Sequence, residues 1–142
     1  MPQARHALYA DGEEVHVATW PGWVGQTADI ARFVALEGRV AVLCACGLLH
    51  PDDLPDDAPM VDAMRAAPER FTFDGGSAVV GPDGAWIVPP VAGTEGLVVA
   101  DIEPEAIRGA RLAADATGHY ARPDVFAVGV DRRRTGAVEF RD

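Results

Sequence analysis

Two cysteines stand two residues apart in "LCACGLL", residues 43–49, and they are the chain's only thiols. A thiolate attacks electrophilic carbon and binds soft metals, so Cys44 and Cys46 are the first residues to test for chemistry. Neither chemistry is complete in the residues around them. A nucleophilic thiol needs a base or cation beside it, and a structural zinc takes four ligands. The four histidines, His6, His16, His50 and His119, are scattered, and all twelve basic residues are arginines, with no lysine in the chain. A guanidinium stays protonated and is poorly suited to moving protons. Spacing of two on a strand puts both thiols on one face, inside an apolar run where burial raises a thiol pKa. Reduced, buried thiols and no metal site are expected.

Other polar residues carry two readings each. His119-Tyr120, followed by Arg122-Pro123-Asp124, could be an acid–base pair or polar wall; the preferred reading is a helix-ending turn whose polar groups tie down the last strand. Glu13 and Glu14 could supply a base, but a solvated turn ahead of a strand is the preferred reading. Asp101 and Glu103 read as ordinary charges at a strand end and a helix start.

The elements that must position these groups follow from periodicity. Residues 2–10 read as a short helix ended by Asp11-Gly12, with Pro2 in its first turn. "EVHVATW" alternates as a strand over 14–20 and is closed by Pro21-Gly22. Residues 27–37 read as a helix with Thr27 as N-cap and Gly38 at its C-terminal end. "RVAVLCACGLL" is apolar on both faces, which predicts a central strand over 39–47. Prolines and aspartates dominate from His50 to Arg70, so a loop with at most a short helix in "MVDAMRAA" is expected. "SAVVGPDGAWIV" reads as a hairpin over 77–88. "GLVVADI" and "VFAVGVD" predict strands near 97–102 and 125–131, with a helix over 104–115 between them. Helices alternating with short strands, one pair in a hairpin, indicate an α/β layer with a mixed sheet.

Composition bounds the function. The 142 residues are 49% hydrophobic, a size suited to one domain, and no linker or internal repeat divides them. A net charge of −10 repels phosphate backbones and anionic lipid, so neither nucleic acid nor membrane is an expected partner. The longest apolar run, "VAVLCACGLL", is far shorter than the roughly 20 residues that span a bilayer, and no basic, apolar signal segment opens the chain. A cytoplasmic protein is expected.

Five phrases are more specific than the pattern: "ALYADGEEVHVATWPGW", "EGRVAVLCACGLL", "GGSAVVGPDGAWIVPP", "EGLVVADIEPEAI" and "GHYARPDVFAVGVDR". In this order and spacing the chain resembles the nitrilases of the carbon–nitrogen hydrolase superfamily. The resemblance implies a four-layer αββα sandwich, of which this chain would be the C-terminal half: one mixed sheet with helices on one face. It implies a cysteine thiolate that attacks the nitrile carbon, a glutamate base and a lysine that stabilises charge. Those three residues precede, in the family, the segment that the opening of this chain resembles. Residues 1–142 are therefore expected to be a partial carbon–nitrogen hydrolase domain with no catalytic residue and no cofactor. The alternative is a noncatalytic truncated product or structural subunit. The resemblance also places Thr19, Trp20 and Pro21 near the nucleophile of the intact enzyme, where they would line an apolar nitrile pocket; Trp20 could equally be a core residue that merely packs. Expected partners are a second copy of the chain or a complementary N-terminal half. Contact is expected through an uncovered apolar sheet face and through the helices at 2–10 and 27–37.

Overall fold

The computed structural model describes residues 2–133; the two ends of the 1–142 span lie outside the described residues. Helix α1 (Pro2–Ala10) runs into strand β1 (Val15–Trp20), helix α2 (Val24–Gly38) and strand β2 (Ala41–Cys46). A two-residue strand, β3 (Leu48–Leu49), a short helix α3 (Val61–Ala66), the hairpin strands β4 (Phe73–Val80) and β5 (Trp86–Ala92), and helix α4 (Pro104–Ala113) follow.

β1 and β2 are parallel and joined by α2, the crossover such a pair requires. β4 is the hub: it pairs antiparallel with β2, with β3 and with β5. Val42 stands opposite Val80 and Cys44 opposite Ala78; Leu48 opposite Asp74 continues the same register, so β2 and β3 form one ladder broken around Gly47. The break coincides with Gly75 and Gly76, whose φ of +89° and +102° only glycine adopts readily. Pairing of β4 with β5 slips at three points between Gly75 and Val80, as bulges do.

The alternation of β1, β2 and β4 sorts side chains onto two faces. Ala18, Val42, Cys44, Ala78 and Val80 meet Ala31, Val34 and Ala35 of α2 and Tyr9 of α1 in one buried cluster, so both helices lie on the same face. Val40, Val42 and Val80 are fully buried, each burial stabilising by about 1.5–3 kcal/mol relative to exposure. On the other face Ala41 and Val79 are buried, but Val15, Val17, Thr19 and Ala45 are exposed, Val17 by 64%. Uncovered apolar residues thus include those of β1 and the end of β2, together with Ile87 and Val91 of β5.

Several boundaries differ from those the sequence predicts. α2 begins three residues earlier, with Trp23 as its N-cap; Thr27 sits inside the helix, its hydroxyl donating 3.0 Å back to the Trp23 carbonyl. Arg39, not Gly38, takes the left-handed position that ends α2 (φ 50°, ψ 49°). Gly38 is needed instead because the Tyr9 ring lies where its Cβ would be. β4 starts at Phe73, four residues before the predicted hairpin. Residues 97–102 and 125–131 form no strand and pair with none of the described strands. Leu97, Val99, Phe126, Val128 and Val130 are left exposed.

α4 has Pro104 at its first turn and buries Ile107. Arg111 near its end donates to the Glu13 carbonyl just ahead of β1. No described helix is long and apolar enough to cross a membrane.

Candidate functional site

The sequence directs attention to the C-terminal ends of β1 and β2, where Thr19, Trp20, Pro21 and Cys46 lie together. Backbone packing there is unusually close. Gly22 has φ +115°, and a Cβ on it would overlap the Gly47 carbonyl; a Cβ on Gly76 would overlap Val24. The Gly47 N–H donates to the Trp20 carbonyl at 3.2 Å. Across the sheet the Cys46 N–H donates to Ser77 Oγ at 3.0 Å. Three glycines and a serine thus lock the two strand ends to β4.

The three predicted pocket residues do not share a face. Trp20 is half-buried and packs against the core on the helix side, Thr19 is exposed on the opposite face, and Pro21 is exposed in the turn. Alternation along a strand imposes this separation of Thr19 from Trp20. Trp20 and Thr19 both line a cavity of about 210 Å³ between β1 and α2, together with His16, Ala18, Ile30 and Arg5. The Trp20 indole Nε1 is buried with no hydrogen-bond partner among the described residues.

Neither thiol is activated. Burial pushes the Cys44 thiol up, with only a partial offset from the Trp20 indole N–H. Burial likewise pushes Cys46 up; the Thr27 hydroxyl offsets part of this, and the negative charge of Asp74 adds to it. A thiol held protonated in apolar surroundings is a poor nucleophile.

The histidines stay apart. His16 Nδ1 lies 2.9 Å from Glu13 Oε1, His50 caps a turn through Asp52 and Asp53, and His119 packs on Tyr120 with ring centroids 4.7 Å apart. Among the described residues no three His, Cys, Asp or Glu side chains gather as metal ligands would. Asp101 and Glu103 are exposed. Around His119-Tyr120 the chain turns on Asp115, whose carboxylate accepts from Thr117 N–H and Oγ1 and from Gly118 N–H. Burial alone would raise that carboxyl, but these donors hold it below the usual range.

Glu13 departs from the solvated-turn reading. Its side chain is only 15% exposed, it faces His16, and its second oxygen is buried without a partner among the described residues. Glu14 remains exposed. The i, i+3 spacing of Glu13 and His16 was the available signal; what the sequence could not supply is α4, which brings Arg111 against the Glu13 backbone from 98 residues away. A cavity of about 740 Å³ lies elsewhere, between α1 and residues 116–132, and neither thiol lines it.

A mixed sheet with a parallel βαβ start, an antiparallel hub strand and helices on one face defines a mixed α/β layer. Residues 1–112 match the carbon-nitrogen hydrolase family, and the chain belongs to that family. It is similar to an aliphatic nitrilase from Sinorhizobium fredii, 35% identical over 99% of this chain and 45% of that protein. Nitrilase 2 from Arabidopsis thaliana is 33% identical over 99% of this chain and 42% of that protein. The fold matches a crystal structure of a carbon-nitrogen hydrolase from Helicobacter pylori with a TM-score of 0.67 at 17% identity, covering 89% of this chain and 44% of that one. Yeast Nit3 matches with a TM-score of 0.60 at 18% identity, covering 84% of this chain and 40% of that one. The chain spans less than half the length of each of these proteins.

Proposed function

We propose that this chain supplies the C-terminal sheet of a nitrilase-type hydrolase and that, without a complementary N-terminal half, it does not turn over nitriles. The carrying observation is the state of its two thiols: both are pushed up by burial, and neither has a histidine, glutamate or lysine placed to take its proton. Nitrile hydrolysis by the route the family resemblance implies needs a thiolate to add to the nitrile carbon. A base and a fixed positive charge then assist while two waters convert the adduct to carboxylate and ammonia. Thr19, Trp20 and Pro21 would contribute part of the pocket wall once such a half is present. We place the protein in the cytoplasm, which two reduced cysteines suit.

Ammonia release from benzonitrile and from a short aliphatic nitrile tests this reading. The purified chain is expected to release none, and co-expression with the N-terminal half of an aliphatic nitrilase is expected to yield turnover. Turnover by the chain alone that disappears in Cys46→Ala would overturn the reading and make Cys46 the nucleophile.

A further inference from the structure

Between β3 and β4 the chain leaves the sheet for a strap, residues 50–72, that is tied down by polar contacts close in sequence. His50 is extended (φ −114°, ψ 143°) just ahead of a single 3-10 turn, Pro51–Asp53, and it closes that turn from both sides. Its backbone N–H donates to Asp53 Oδ2 at 2.9 Å, and its ring Nδ1 accepts from the Asp52 N–H at 3.3 Å. Serine, threonine, asparagine and aspartate usually cap such turns, because their oxygens accept at every pH near neutrality. An imidazole nitrogen accepts only while it carries no proton. The Asp52 carboxylate lies beside the same nitrogen, its Oδ2 3.4 Å from Nδ1. Nδ1 therefore faces a donor and an acceptor of one residue at nearly equal distance, and it serves one of them at a time.

We propose that His50 is a proton-operated fastening of this strap: with Nδ1 bare it caps the Asp52 N–H, and with Nδ1 protonated it releases that N–H and donates to the Asp52 carboxylate instead. The proton comes from solvent, and the Nδ1–H bond is the only covalent bond that forms. The charges around the ring favour the exchange. Asp52, Asp53, Asp56 and Asp62 surround it with negative charge, Asp74 faces Leu48 across the β3–β4 pairing, and Arg65 of α3 is the cation among them. Arg65 donates to Asp56 Oδ1 and to the Leu54 carbonyl, each at 2.7 Å, and lies 3.8 Å from Asp52 Oδ1. In the protonated form the Asp52 carboxylate thus stands between two cations, and the first turn of the strap is held to α3 by side-chain charge rather than by its own cap. The turn itself persists, because the Asp53 N–H donates to the His50 carbonyl at 2.9 Å in a bond that a ring proton does not touch. Every group that changes partner lies within residues 50–65.

The inference is independent of the hydrolase reading, since no turnover enters its test. Nitrogen-15 NMR of the full chain between about pH 5 and 8, the range in which histidine changes charge, reads both halves of the exchange. At the alkaline end the His50 ring is expected as the Nε2–H tautomer. On acidification Nδ1 takes the proton, and the protection factor of the Asp52 amide is expected to fall about fivefold with the same midpoint as the ring, after correction for the intrinsic pH dependence of exchange. The Asp53 amide should keep its protection across the same range. His50→Asn supplies an oxygen that accepts at every pH, so the Asp52 amide should stay protected throughout. A neutral ring that carries its proton on Nδ1 overturns the proposal, as does an Asp52 amide whose protection does not follow the ring. The same pH dependence persisting in His50→Asn overturns it too, and so does an equal loss at Asp53, which is fraying of the whole turn.

Discussion

Residues 13–92 and residues 93–133 are similarly apolar in pattern yet reach different ends. In the first region every strand finds a neighbour, and Val40, Val42 and Val80 are sealed between sheet and helices. In the second, "GLVVADI" and "VFAVGVD" carry alternation at least as clear as that of β1, but Leu97 is 90% exposed and Phe126 72% exposed. Beyond the buried Ile107 of α4, the arm is held by polar ties: Arg111 on the Glu13 backbone, Arg132 on Asp11, Asp115 in its own turn, and Arg122 on Asp124. Such ties fix position but stabilise little, because exposed ion pairs are screened. A β-pattern is a capacity to pair, and it becomes a strand only where another backbone edge is within reach.

The contrast is broken most directly by placing the same charge in both regions. Val80→Asp buries an unpaired carboxylate in the core cluster and is expected to cost about 4 kcal/mol or more, enough to unfold a marginal domain. Phe126→Asp should shift stability by no more than about 0.5 kcal/mol. Urea unfolding followed by circular dichroism reads both, and similar losses from the two would show that the arm is packed as tightly as the sheet.

Glycines sharpen the same contrast. Gly22→Ala must place a Cβ on the Gly47 carbonyl at a left-handed φ, and a loss of about 2–3 kcal/mol is expected. Gly96→Ala meets nothing within 4 Å at an ordinary φ, so a gain of about 0.4–1 kcal/mol should follow from the stiffer unfolded chain. Thermal melts of the two variants should move in opposite directions.

Tyr9 joins α1 to the core and ties that packing to pH. Burial, reinforced by the Glu37 carboxylate, pushes its hydroxyl from 10.0 up to about 12. Between those values the unfolded chain has lost a proton that the folded chain keeps, so stability falls as pH rises through this window, by on the order of 1–3 kcal/mol. Tyr9→Phe should remove that slope while costing about 1 kcal/mol at neutral pH, from the lost hydrogen bonds to Glu37 and the Val34 carbonyl. Denaturant titrations at neutral pH and across the alkaline window separate the two effects. The smallest effect belongs to the arm: Arg122→Ala removes an ion pair whose partners are 63% and 61% exposed, and it should change the urea midpoint by less than about 0.5 kcal/mol equivalent.

Much of the architecture is legible in the sequence because local physics dictates it. The α1 span, the β1–α2–β2 succession, the apolar central strand, the Gly81–Gly84 hairpin turn and the Pro104 helix start each rest on periodicity or turn chemistry within a short window. The five phrases also carry the family. Burial raises both thiols, as their place in an apolar strand implies.

Tertiary structure alone decided the rest, wherever the deciding partner is distant in sequence. Gly38 reads as a helix stop, but it is a seat for the Tyr9 ring. Glu13 reads as a solvated turn, but Arg111 and His16 enclose it. Thr19 and Trp20 read as neighbours at one site; the pleat turns their side chains to opposite faces while both border the cavity between β1 and α2, and which face α2 covers is fixed only by packing. The two late strands fail for the same reason: their hydrogen bonds and apolar faces need a partner edge, and no window of their own sequence can contain one.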